Sequence, residues 1–175
     1  YKLCPLYIED MVLGSGPPII SQVLREPCAP TTNTDEVEVS CIITDNSSVS
    51  EATLHYSVDG GDYNSVSMEN VVDDIYIALI PISGASTIHY YISATDDGNL
   101  QPTIATSYYP NDIIFDHLGF YVTDQLSVEN IQKNPWPSGN TFYEGCEVTL
   151  TGYVTADTAQ YASGYSSYAL QDGDG

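Results

Sequence analysis

The stretch Ala52-Thr-Leu-His-Tyr-Ser-Val-Asp-Gly-Gly-Asp62, answered by Thr87-Ile-His-Tyr-Tyr-Ile-Ser-Ala-Thr-Asp-Asp-Gly98, decides the fold. Both runs alternate apolar and polar residues with a period of two, and both end in Asp/Gly turns. That is the pattern of a half-buried antiparallel strand. Leu54, Tyr56 and Val58 share one face of the first run, as Ile88, Tyr90 and Ile92 do of the second, and these faces point to a core. His55, and His89 with Tyr91 and Ser93, fall on the outward faces. Between the runs lies Ile75-Tyr-Ile-Ala-Leu-Ile-Pro81, and before them Glu36-Val-Glu-Val-Ser-Cys-Ile-Ile-Thr44. Adding strands at 19–25 and 65–68 and an edge around 103–108 gives about seven strands at spacings of roughly ten residues. An all-β chain is expected, with an antiparallel sandwich over residues 17–110.

Composition narrows the setting. The 175 residues are 42% hydrophobic, enough for a packed core despite a net charge of −21. Lys2, Arg25 and Lys133 are the basic residues, so the chain repels phosphate backbones and nucleic acid is not an expected partner. The acidity reads either as a solvated surface or as divalent-cation binding. No run reaches the roughly 20 apolar residues of a membrane span, so no membrane insertion is expected. No signal peptide stands at the N-terminus, and a start at Tyr1 reads as a processed product or a piece of something longer. The outward His55 and His89 fit solvated surface histidines better than a metal pair.

Four cysteines, Cys4, Cys28, Cys41 and Cys146, lack C-x-x-C spacing and zinc-finger histidines. Disulfides in an oxidising, extracellular setting are therefore expected. Cys28 ends the first strand and Cys41 lies in the second, and such strands pair in many sandwiches. A Cys28–Cys41 bond would close a loop of about 13 residues and stabilise by ~2–3 kcal/mol. Two buried free thiols are the alternative.

Two resemblances extend this reading. The alternating strands above resemble the immunoglobulin-like or fibronectin-III-like modules that stand between other domains in large secreted bacterial proteins. From Leu126 the chain reads Leu-Ser-Val-Glu-Asn-Ile-Gln-Lys-Asn-Pro-Trp-Pro-Ser-Gly-Asn140, then Tyr143-Glu-Gly-Cys-Glu-Val-Thr-Leu-Thr-Gly-Tyr-Val-Thr155, and closes on Tyr168-Ala-Leu-Gln-Asp-Gly-Asp-Gly175. This resembles the opening of the OB-fold-type module of secreted bacterial nucleases. The resemblance implies a first barrel strand on which Val148, Leu150, Gly152 and Val154 alternate, Gly152 permitting sharp curvature. Only two of five barrel strands are supplied, so the barrel is partial. Residues 1–16 are similar to the last strand and exit of such a module, ending in a Gly/Ser/Pro boundary. The expected organisation is thus 1–16, the end of a barrel-like module or an N-terminal strand; 17–110, the sandwich; 111–125, a linker strand or a cover over a sheet edge; and 126–175, the start of an OB-like module. The barrel resemblance also implies that Cys4 and Cys146 could be neighbours, joining either the two ends of one chain or successive subunits; the alternative is that each pairs with a cysteine in a further part of the protein.

For chemistry, the chain lacks G-x-S-x-G, H-E-x-x-H, a P-loop and G-x-G-x-x-G, so no enzyme is expected. Asp45 and Asp96-Asp97 follow strands that would end together, and such oxygen-rich loops hold Ca²⁺ in many extracellular modules. Asp172-Gly-Asp174 is a shorter version of that signal, and Asn46-Ser47-Ser48 is a glycosylation sequon. Asp and Gly are also ordinary turn residues. The expected function is a non-catalytic extracellular structural or interaction module, of a cell-surface or self-assembling protein, whose partners are other copies or neighbouring repeats. The alternative is an accessory region of a secreted nuclease or other hydrolase.

Overall fold

The computed structural model describes residues 16–99, 104–133, 139–156 and 169–173. One sheet contains β1 (Ile19–Glu26), β2 (Glu36–Thr44), β5 (Glu69–Val72) and β6 (Ile75–Pro81) in the order β1-β2-β6-β5. The other contains β3 (Val49–Val58), β4 (Tyr63–Ser67), β7 (Thr87–Asp96), β8 (Thr106–Tyr109) and β9 (Leu118–Tyr121). Its order is β4-β3-β7-β8, with β9 also bonded to β7. All these pairings are antiparallel. The fold is all-β, as the alternation predicts.

The period of two becomes the core directly. On β7 every second residue is buried, and Ile88, Ile92 and Ala94 are wholly so. Register sets Leu54 opposite Ile92 and Tyr56 opposite Tyr90. From the facing sheet come Val37, Val39, Cys41 and Ile43 of β2 with Ala78 and Ile80 of β6. Each fully buried Ile or Leu contributes ~1.5–3 kcal/mol relative to exposure. The turn after β3 is tied to the start of β7 by Asp59, whose Oδ1 accepts from Ser86 N–H and Thr87 N–H at 3.0 and 2.8 Å.

Two details go beyond the sequence reading. The strand expected at 65–68 is β4, and an unexpected strand, β5, follows it in the other sheet. The chain changes sheets at buried Met68, whose N–H donates to Ala52 C=O at 2.9 Å. The second detail is the segment 111–125, which the sequence leaves as linker or cover. β8 pairs only Ile92 to Thr95 of β7, and β9 takes the remaining stretch, Thr87 to Tyr90. Backbone groups of a central strand need partners along their whole length, and β9 supplies them.

The disulfide pairing is corrected. Cys28 bonds Cys146, with Cα atoms 5.9 Å apart and 118 residues between them in sequence, while Cys41 is a free thiol. The alternation of β2 turns Cys41 into the core between Val39 and Ile43, away from the loop that carries Cys28. Burial pushes the Cys41 thiol up to about 12. Cys146 is therefore not the partner of Cys4 here, and Cys4 itself, with residues 1–15, lies outside the described residues.

Beyond Leu126 a short helix, α1 (Val128–Gln132), precedes a ladder of β10 (Tyr153–Ala156) with β11 (Ala169–Gln171). The sequence reading has no helix here. Ser127 and Asn130 form a capping box, each side chain accepting from the other's backbone N–H at 3.0 Å. The barrel strand expected from Val148 onward is strand only from Tyr153, and the described sheets do not close into a barrel. Val148 and Leu150 instead pack on a small cluster of Leu126, Phe142 and Tyr143. Gly152 is required by close approach, since a Cβ there would lie 2.6 Å from the Gln171 carbonyl oxygen.

Candidate ligand-binding face

All three histidines of the chain belong to one surface, the outer face of the five-stranded sheet. His55 and Tyr91 sit directly opposite each other on β3 and β7, and their rings stack at 4.5 Å between centroids. Ser65 and Ser93 Oγ each lie 2.9 Å from a ring nitrogen of His55, so that ring is held from both sides. Tyr63 reaches over from β4 to touch Tyr91 at 5.3 Å and His117 at 5.6 Å. His117 meets Tyr91 edge-on at 5.8 Å, and Tyr108 of β8 stands 6.4 Å from Tyr91. The rings thus form one cross-strand cluster centred on Tyr91. Tyr63 and Tyr108 remain exposed, at 41% and 38%. His89 continues the row to Phe142 at 5.6 Å, and Phe142 to Tyr121 at 5.8 Å.

The rings of this face are uncharged at neutral pH, with the Glu51 and Asp116 carboxylates beside them. Burial holds His55, His89 and His117 below the ordinary histidine range. The neighbouring His117 lowers His89 further, while Glu51 and Asp116 pull His55 and His117 back upward. Tyr63 and Tyr91 are held above the ordinary tyrosine range, again by burial first. Neutral imidazoles and protonated phenols are therefore the working forms.

At His117 the face runs into a cleft of about 410 Å³. Its walls include Asn111, Asp116, Asn140, Thr141 and Glu144, set among Leu24, Tyr109 and Phe142. A volume of that order suits a small ligand or one end of a longer one. Arg25 forms the cleft's anchor rather than a free charge. Its Nε donates to Cys28 C=O at 2.8 Å, Nη1 to Gly119 C=O at 3.0 Å and Nη2 to Phe142 C=O at 2.6 Å. The guanidinium also lies over the Phe120 and Tyr143 rings at 5.3 and 5.2 Å. Gly119 completes the seat, because a Cβ would stand 2.8 Å from both Ile88 C=O and the Phe142 ring.

The sequence-expected calcium residues lie at the far end of the sandwich. Asp97 N–H donates to Ser48 C=O at 3.0 Å, which brings the loops carrying Asp45 and Asp96-Asp97 side by side. Asp45 Oδ1 accepts from Ser47 N–H and Oγ–H, both at 2.6 Å. Asp96, fully buried, accepts at Oδ1 from Gly98 and Ala105 N–H at 3.1 and 3.0 Å. Asp97 accepts from Asn99, and those bonds hold its carboxyl below the usual range. Among the described residues no three His, Cys, Asp or Glu side chains are grouped to hold a metal ion. Asp172 accepts from Val128 N–H at 2.6 Å, and Asp174 lies outside the described residues.

Sequence reasoning places His55, His89 and Tyr91 on the outward face. It misses Tyr63 and Tyr108, which stand on β4 and β8, and His117, which precedes β9 and carries no strand signal of its own. No helix among the described residues is long and apolar enough to cross a membrane. The chain matches no family model. It is similar to an uncharacterised solute-binding protein of Thermoplasma acidophilum, 27% identical over 135 residues, which cover 75% of this chain and 34% of that protein. The chain thus spans about a third of the length of that curated relative.

Proposed function

We propose that this chain is a non-catalytic interaction module of an exported protein, and that it works by offering the aromatic–histidine face of its five-stranded sheet to an extracellular ligand. The observation that carries the reading is the Tyr91-centred ring cluster, held rigidly by the His55 bonds to Ser65 and Ser93. A preformed aromatic array on a sheet binds with little loss of side-chain freedom. The Cys28–Cys146 bond is compatible with an oxidising compartment. The relative is named for solute binding. Contact with other copies or neighbouring repeats belongs to the same reading. It is favoured by the four-stranded sheet, which leaves Ile19, Leu24 and Leu79 exposed.

Ligand-observed NMR against a mixed library of small solutes and glycans tests the reading, with wild type beside Tyr63→Ala/Tyr91→Ala. At least one ligand should bind the wild type and be lost in the variant, while circular dichroism shows the same fold. A library in which no binding depends on those two rings overturns it. Sedimentation velocity over a wide concentration range checks self-contact, which should appear as a rising mass.

A further inference from the structure

We infer that the ligand of this face is a neutral saccharide, its sugar rings laid against Tyr63, Tyr91 and His117 and one end hydrogen-bonded in the adjoining cleft. The inference rests on the proposed binding role of the face and adds the ligand's chemical class.

Three observations lead there. The first is the chemistry of the face. Tyr63, Tyr91 and Tyr108 join apolar ring surface to hydroxyl groups, and Ser65 and Ser93 lie between them. A pyranose has the matching character, with C–H bonds on its faces and hydroxyls on its rim. The second is charge. Arg25 is engaged by three backbone carbonyls, so an anionic ligand finds no free cation there. The histidine rings are held towards their neutral forms, and an uncharged polyol can donate to the Asp116 and Glu144 carboxylates of the cleft where an anion would be repelled. The third is shape and continuity. The rings spread over neighbouring strands around Tyr91, whose own ring fills the centre, so they form a patch and not an empty cage, which suits an extended ligand over a compact cation. The patch opens at His117 into a cleft walled by Asn111, Asp116, Asn140 and Glu144. Amides and carboxylates together donate to and accept from vicinal hydroxyls, and they leave such a ligand with few unmet hydrogen bonds.

Affinity gel electrophoresis of the full chain tests this, with a panel of neutral polysaccharides in the gel and heparin and polylysine as charged comparisons. At least one neutral polysaccharide should retard the wild type. Tyr91→Ala should weaken that retardation on the order of tenfold, about the loss of one stacked ring. Tyr108→Ala, an exposed position that leaves the core intact, should weaken it less, and Asp116→Asn should alter which short oligosaccharides compete. Retardation by polylysine alone, abolished in Tyr91→Ala, overturns the saccharide assignment and leaves the binding role standing. No retardation of the wild type by any polymer, together with a mixed library that yields no face-dependent ligand, overturns both. Retardation by neutral polysaccharide that is unchanged in Tyr91→Ala and Tyr108→Ala overturns the placement on this face.

Discussion

The sandwich and the region beyond Leu126 are built by opposite means. In the sandwich each inner strand bonds neighbours on both edges, and alternate side chains from two sheets fill a shared interior from Ile20 to Val122. Beyond Leu126 the described buried apolar residues are Leu126, Phe142 and Tyr143. That region is held at a few points instead. The Cys28–Cys146 bond, the Arg25 fork on Phe142 C=O and the Tyr143 hydroxyl accepting from Tyr121 N–H at 3.1 Å fasten it to the sandwich. Redundant packing tolerates single losses, whereas a region fastened at few points is released by one. The cleft beside His117 lies on the seam between the two, so the fastening also shapes the proposed site.

The largest effect should come from the disulfide. Cys28→Ser with Cys146→Ser frees a loop that contains every sandwich strand from β2 to β9, and should cost on the order of 4–5 kcal/mol. The melting temperature should fall by ~10–20 °C in calorimetry. Hydrogen exchange should quicken first in residues 139–156, and equal quickening in β2 would erase the contrast between the regions. Leu54→Ala attacks the other side of the comparison. It empties a fully buried site opposite Ile92 and should cost about 3 kcal/mol in urea titrations, with one cooperative transition. Arg25→Met should cost less, about 2 kcal/mol, because three carbonyls lose their donor. Its effect should concentrate at the seam: exchange at residues 118–121 and 139–146 rises while that at β2 does not.

What was legible in the sequence follows the same division. β3 and β7 could be read residue by residue because a half-buried strand writes its burial into a period of two. That includes the outward placement of His55 and His89. Cys28 could not be assigned to Cys146, since nothing local marks a partner 118 residues away, and Cys41 at a nearby β position was the plausible decoy. His117 was hidden because its segment has no alternation of its own and takes its place from the unpaired half of β7. Tyr63 was missed for a smaller reason. β4 begins two residues before the apolar signal at 65–68, and only the strand pairing sets Tyr63 beside Ser57. The capping box at Ser127 has Asn at its third helical position in place of the usual Glu or Gln, so its short helix left a weak mark.

The smallest predicted effect sharpens the comparison through pH. His55, His89 and His117 all sit below the ordinary value of 6.5, chiefly because burial disfavours their charged forms. In the unfolded chain they regain ordinary values, so as pH falls through about 6.5 the unfolded state takes up protons first. Stability is then proton-linked in one direction only. It is full above about pH 6.5 and declines as pH falls from there towards the lower folded-state values. Asp97 and Asp124, depressed by their bonds to Asn99 and Thr32, contribute in a separate window that opens only below their ordinary 3.8. Between about pH 7.5 and about pH 5 the histidines therefore dominate the slope, and melting temperature should drop modestly across it. His89→Gln should flatten that slope more than His55→Gln. His89 carries an additional penalty from neighbouring His117, whereas His55 is partly compensated by Glu51. Because the His89 ring touches Phe142, exchange measured along the same pH series should quicken at residues 139–146 ahead of β2. A wild-type melting temperature that is flat between those pH values would show that these rings are not held in their neutral forms.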